Sequence, residues 1–234
     1  MISVNSIFSH MMLSQVTCCL LISLLGILVF ANHLNNPFQF DSVAYIVNNP
    51  NLQNPETMLT VEFWKKEFMA RGLLRMSIAL NTYLDGFRPF GYHIINLVFH
   101  LLNTILLFFV LEISFRRFGF NEMGWEDERI RAVSFFSATI FLCHPIQTES
   151  VIYIMSRSEI VASTFYLAGF LLFQHLLERP STSRFQYGVF SLLLFLIILV
   201  GFSVKQIVAT LPAIMILYYF CGSHEDSPAI LVLK

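Results

Sequence analysis

Residues 132–149 read AVSFFSATIFLCHPIQTE, an apolar stretch that gives out at Cys143-His144-Pro145-Ile146-Gln147-Thr148-Glu149 shortly before the next apolar stretch begins. Ionisable groups at a membrane edge cost several kcal/mol to place against lipid, so they face a bundle interior, a water-filled cavity or a ligand. Two accounts of the run stay open. Pro145 breaks a helix at a membrane exit and leaves His144 as an interfacial polar residue. Glu149, together with Arg157 and Glu159, forms a short charged patch between two apolar runs, which suits either an ion-pair network or a ligand site.

The whole chain fits that setting. Hydrophobic residues make up 56% and charged residues 12% of its 234 positions, and the mean hydropathy is +0.68. A soluble domain carries about 25% charge, so the composition indicates an integral, multi-pass membrane protein. The net charge of -1 supplies no basic face for nucleic acid, and that class is set aside. Cys18, Cys19, Cys143 and Cys221 lie within or beside apolar runs, without the spacing of a zinc site or a disulfide framework. They read as packing residues.

A spanning helix needs about 20 apolar residues, and the charge-free run 12–31 meets this. No basic segment precedes it and it is long for a signal-peptide core, so it reads as an anchor rather than a cleaved leader. Further spans are expected near 93–111, 132–148, 160–177, 186–202 and 207–221. The predicted fold is an all-α bundle of about six crossings, a single membrane domain over 1–234, either complete or part of a longer protein.

Between the first two spans, 32–92 is rich in Asn, Pro and charge mixed with aromatics, and forms a long extramembrane loop. Within it Leu73, Met76, Leu80 and Leu84 recur at near-helical spacing, as in an interfacial amphipathic helix. In the short loops, Arg116, Arg117, Arg129, Arg131, Arg179 and Arg184 fall on one side, against Arg157 and Lys205 on the other. The excess of basic residues marks the cytoplasmic face, so Asp41 and Glu149 are expected together on the opposite, non-cytoplasmic side.

The second span carries His93, Asn96, His100 and Asn103 on one helical stripe. Such a stripe serves interhelical hydrogen bonding or forms the polar wall of a cavity. Asp41, in Phe38-Gln39-Phe40-Asp41-Ser42, reads on its own as a turn or cap residue. If the topology brings it to one face with Glu149, Arg71 and Arg75, the same face holds a proton acceptor and guanidiniums able to grip a phosphate. Lys205 stands alone between two apolar runs, a snorkelling cation or a contact for lipid phosphate.

The order of segments Phe40-Asp41-Ser42-Val43-Ala44-Tyr45, Glu62-Phe63-Trp64, Arg71-Gly72-Leu73-Leu74, Gly91-Tyr92-His93, Asn96, His100, Asn103, His144-Pro145-Ile146-Gln147-Thr148-Glu149, Arg157-Ser158-Glu159 and Ser203-Val204-Lys205-Gln206 resembles the N-terminal membrane part of the tetratricopeptide-containing O-mannosyltransferase-like proteins and their bacterial relatives. These belong to the C-type glycosyltransferase superfamily. The resemblance implies a multispan hexosyltransferase that moves a mannose-like sugar from a polyprenyl-phosphate donor to a protein or other hydroxyl acceptor. It would act at the non-cytoplasmic face of a bacterial inner membrane or the endoplasmic reticulum.

On that resemblance Asp41 is the catalytic base. Arg71, Arg75, Arg157 or Lys205 would stabilise the leaving phosphate, while His93, His144, Glu149 and Glu159 complete the substrate contacts. The chain departs from the family pattern at Ser42, where an acidic neighbour is usual, at Gly72, where a proline is usual, and at Gln206, where an acid is usual. No cofactor and no metal is expected. The rival reading is a catalytically silent scaffold or transporter-like bundle that keeps the fold.

Overall fold

The computed structural model describes residues 14–54, 60–178 and 183–223, apart from the side chains of 67–71 and Ser223. The described residues are helical, without strands. Helix α1 is Gln15–Phe30, followed by a 3-10 turn at Ala31–His33. The loop after it contains a π-helical turn, Val43–Val47, and the short α2, Pro50–Gln53. Helix α3 covers Val61–Asp85, α4 Pro89–Arg117, α5 Asp127–Cys143 and α6 Gln147–Ile152. A 3-10 turn at Ile154–Ser156 leads into α7, Arg157–Glu178; α8 is Arg184–Val204; and a 3-10 turn at Gln206–Thr210 leads into α9, Leu211–Ser223.

Among the described residues, four segments are long and apolar enough to cross a membrane: Gln15–His33, Pro89–Arg117, Ile154–Glu178 and Arg184–Val204. The protein is therefore a multi-pass membrane protein. The last expected crossing corresponds to the shorter apolar segment Gln206–Gly222. The third, read from sequence as 132–148, is a 17-residue helix that starts earlier and stops at Cys143. His144 leaves the helical region at φ -63, ψ 130, because the ring of Pro145 crowds the α conformation of the residue before it.

Helix α4 is the axis of the bundle. Its 29 residues run about 43 Å at 1.5 Å per residue. Cys18 and Ile22 of α1 pack with Phe108 of α4 and with Ala138 and Leu142 of α5. On the other side Val110 of α4 meets Phe170 of α7 and Leu211, Met215 and Tyr218 of the last segment. Helices α7 and α8 approach closely at Gly201, where an added Cβ would lie 2.7 Å from Phe165 Cβ and 3.0 Å from Val208 Cγ1. The Phe165 Cβ has little room to retreat, so Gly201→Ala is expected to cost about 1–3 kcal/mol of stability by overpacking. A thermal-unfolding comparison in detergent checks this.

The amphipathic segment expected at 73–84 belongs to the longer α3, whose N-cap Thr60 accepts a hydrogen bond from Phe63 N at 3.2 Å. Its buried face is not the stripe of apolar spacing. Leu74, Ile78, Ala79, Asn81 and Thr82 turn inward, while Leu80 and Leu84 are exposed. The inward face is set by α4, to which the Thr82 hydroxyl is tied through Tyr92 at 2.6 Å. Gly72 has φ +44 in mid-helix, with Ser203 Oγ 3.0 Å from where its Cβ would stand. A proline, fixed near φ -65°, does not fit that backbone.

Candidate functional site

A cavity of about 610 Å³ opens at the His93 end of α4. Three pieces of chain build it. The loop after α1 contributes Asp41, Tyr45 and Asn49, its π-helical turn bringing Tyr45 round beside Asp41. Helix α3 contributes Leu74, Arg75 and Ile78. The break forced by Pro145 lets α6 and the next turn contribute Glu149, Tyr153, Met155, Ser156, Ser158 and Glu159. Asp41, Glu149 and Arg75, more than 30 positions apart from one another in sequence, thus face the same space.

The electrostatics of the cavity are mixed. Three carboxylates, Asp41, Glu149 and Glu159, share it with the Arg75 guanidinium. Glu159 forms an ion pair with Lys205 from the turn after α8. Tyr153 lies against Asp41: partial burial, and then the Asp41 carboxylate, push the Tyr153 hydroxyl above the usual tyrosine range. Tyr153 therefore keeps its proton at neutral pH and can present it to the carboxylate. The side chain of Arg71 lies outside the described residues, although its place in α3 is one turn before Arg75.

Several residues expected at the site are elsewhere. Arg157 is fully buried and its guanidinium points into the bundle, away from the cavity that its neighbours Ser156 and Ser158 line. Its Nε donates to Asn96 Oδ1 at 3.0 Å and Nη1 to the Ser77 carbonyl at 3.3 Å. Nη2 donates to Asn81 Oδ1 at 2.9 Å and to the Tyr92 carbonyl at 3.1 Å. These four bonds join α3, α4 and α7. A cation so engaged is a structural tie rather than a phosphate contact.

The polar stripe of α4 is likewise buried and turned to neighbouring backbone. His93 Nε2 meets the Asn36 carbonyl at 3.0 Å, and His100 Nε2 the Leu142 carbonyl at 3.3 Å. Asn103 donates to the Ile160 carbonyl at 2.8 Å and accepts from Thr164 at 2.7 Å. Asn96 also reaches the Val151 carbonyl, at 3.4 Å. Leu142 and Val151 stand in the last turns of α5 and α6, where carbonyls lack helical partners. In an apolar bundle such groups have to be satisfied internally, and the stripe does this instead of lining the cavity. His144 is exposed, outside the cavity, and its Nδ1 accepts from Ile146 N at 3.2 Å.

Two other departures from the family pattern have a place. Ser42 is fully buried and does not line the cavity. Gln206 is exposed beside Lys205, whose ammonium turns to Glu159. Sequence reasoning overlooked Tyr45, Asn49 and Tyr153. The first and last follow Asp41 and Glu149 by four residues, the spacing that shares one helical face.

The opposite end of α4 carries a second polar assembly. Buried Glu112 accepts from Arg116 at 2.8 Å and from Gln15 at 3.0 Å, with Arg131 Nε 3.4 Å away. Nineteen residues separate His93 from Glu112, about 28 Å along the axis. The carboxylate-rich cavity and this arginine-rich cluster therefore occupy opposite ends of the bundle.

These features define a multi-pass helical membrane protein with a polar cavity at one end. No family model matches the sequence and no solved structure matches it. Among curated proteins it is 29% identical over 164 residues to "Protein O-mannosyl-transferase TMTC1" of Mus musculus, covering 65% of this chain and 16% of that protein. It is 27% identical over 163 residues to "Protein O-mannosyl-transferase TMTC4" of the same species, 65% of this chain and 22% of the relative. To "Protein O-mannosyl-transferase F38B6.6" of Caenorhabditis elegans it is 26% identical over 201 residues, 80% of this chain and 26% of the relative. The chain is a distant homologue of these TMTC-type proteins and spans about a fifth of their length.

Proposed function

We propose that this protein transfers a mannose-like sugar from a polyprenyl-phosphate donor to a protein hydroxyl, with the cavity between α3, α6 and the first loop as the transfer site. The observation that carries the reading is the convergence of Asp41, Glu149 and Arg75 on one cavity. The names of the homologues agree with it. The chain crosses the membrane six times in this reading, and the cavity faces the non-cytoplasmic side because Arg116, Arg117, Arg129 and Arg131 flank the other end of the bundle.

The chemistry follows from the groups present. Asp41 accepts the proton of the acceptor hydroxyl as its oxygen attacks the anomeric carbon. The bond from that carbon to the phosphate oxygen breaks, and the polyprenyl phosphate leaves with the electron pair. Arg75 balances the phosphate charge as it grows. Tyr153 holds the Asp41 carboxylate in position, while Glu149 and Glu159 accept hydrogen bonds from sugar hydroxyls. Arg157, His93, His144 and Lys205 take no direct part.

The test is transfer by the purified protein in nanodiscs, supplied with tritiated mannosyl polyprenyl phosphate and hydroxyl-bearing peptides. Label is expected in the peptide from the lipid donor and not from a nucleotide sugar. Absence of transfer from any polyprenyl-phosphate hexose would leave the silent-scaffold reading in its place.

A further inference from the structure

Phe40 has a positive φ, 48°, a conformation that strains a bulky L-residue. The strain has a geometric result. It turns the Phe40 ring outward to 81% exposure while the next residue, Asp41, enters the cavity and Ser42 is buried. The ring stands edge-on to Tyr153, centroids 6.1 Å apart at 82°. Phe40, Ile152 and Tyr153, with Gln39, Thr148 and Glu149, line a second, shallower pocket of about 420 Å³. Glu149 and Tyr153 belong to both pockets, so the two meet at a shared wall beside Asp41.

We infer that this second pocket is the acceptor subsite, and that it binds an extended peptide segment with an apolar or aromatic side chain next to the hydroxyl-bearing residue. The inference rests on the transfer reading above for the role of Asp41. Phe40 and Ile152 supply an apolar seat for the flanking side chain, and an aromatic ring pairs well with Phe40 edge to face. Gln39 offers an amide donor and acceptor to peptide backbone. Thr148 already donates its hydroxyl to the Pro145 carbonyl at 2.7 Å, which leaves its oxygen free to accept. An isoprenoid chain is the poorer occupant, because it would desolvate Gln39, Thr148 and the Glu149 carboxylate without pairing them.

The experiment measures binding rather than turnover. Fluorescence anisotropy compares two labelled threonine peptides on the full chain in nanodiscs, one with phenylalanine beside the threonine and one with alanine there. The wild type is expected to bind the phenylalanine peptide about tenfold more tightly, a difference of ~1.4 kcal/mol. Phe40→Ala should erase that preference and leave the affinity for mannosyl polyprenyl phosphate unchanged. Phe40→Gly, which also relieves the backbone strain, should lose it equally, so a folding defect is separated from a lost contact. The inference is overturned if either variant keeps the wild-type preference, if the wild type binds neither peptide, or if Phe40→Ala weakens the lipid donor instead. Peptide binding that depends on Phe40, without any sugar transfer, keeps the peptide-binding pocket but removes its role as an acceptor subsite together with the enzymatic reading.

Discussion

Asp41→Asn is expected to lower kcat for sugar transfer by about 10²- to 10⁴-fold, the range for loss of a general base, with donor affinity little changed. Asparagine keeps the shape of the side chain and its reach toward Tyr153, but has no carboxylate to accept the proton. Asp41 is exposed within the cavity and outside the buried core, so the substitution leaves the fold intact. Glu149→Gln should act differently. As a hydrogen-bond acceptor for sugar hydroxyls it is expected to raise the donor KM more than it lowers kcat. Initial rates over a range of donor concentrations separate the two, and equal kinetics in wild type and Asp41→Asn would remove Asp41 from catalysis.

The largest effect on stability is expected at Arg157. Arg157→Leu removes four hydrogen bonds from the interior and strands the Asn81 and Asn96 side-chain oxygens, while the Ser77 and Tyr92 carbonyls keep their helical partners. Buried acceptors left unpaired cost about 1–3 kcal/mol each, while measured contacts between membrane helices average about 0.6 kcal/mol. Even near the lower figure for each, the two stranded oxygens, the two further lost contacts and the lost packing amount to roughly 3 kcal/mol. Arg157→Lys is expected to rescue little, because an ammonium cannot copy a planar fork that reaches three helices at once. The Arg157 variants should lower the melting temperature in detergent by several degrees, whereas Lys205→Ala, which breaks a solvent-accessible pair with Glu159, should change it little. Wild-type stability in Arg157→Leu would contradict the role of tie.

The contrast between Arg157 and its neighbours shows where sequence reading reached its limit. Ser156, Arg157, Ser158 and Glu159 form one polar run, and as a run it reads as a patch near the membrane edge. Which of them faces the cavity depends on the helical phase at the start of α7. That phase is set by the 3-10 turn Ile154–Ser156, which no periodicity announces. The stripe on α4 was legible as a face, since its spacing is local. Its partners were not, because they are backbone carbonyls some 42 to 57 residues away, in the loop after α1, the last turn of α5 and the first turn of α7.

Pro145 worked the other way. One residue type dictates the end of α5 and the turn that carries Glu149 toward Asp41, so a helix break could be read from a single position, although the apolar run carried the expected span on to 148. The buried face of α3 could not. Its spacing favoured Leu80 and Leu84, yet packing against the bundle chose Asn81 and Thr82, whose polar groups meet Arg157 of α7 and Tyr92 of α4. Glu112 escaped notice for a related reason: it follows an apolar run directly and reads as the first residue of a loop, while α4 continues to Arg117.

The central claim is that Asp41 and Glu149 open into one donor-binding cavity on a single membrane face. Cysteine accessibility in sealed, oriented vesicles tests it, with Asp41→Cys and Glu149→Cys placed singly in a background where the exposed Cys143 and Cys221 are serine. Both new thiols are expected to react with a membrane-impermeant maleimide from the non-cytoplasmic side, and mannosyl polyprenyl phosphate should slow both reactions. Labelling from opposite sides, or rates that the lipid donor does not alter, would contradict it.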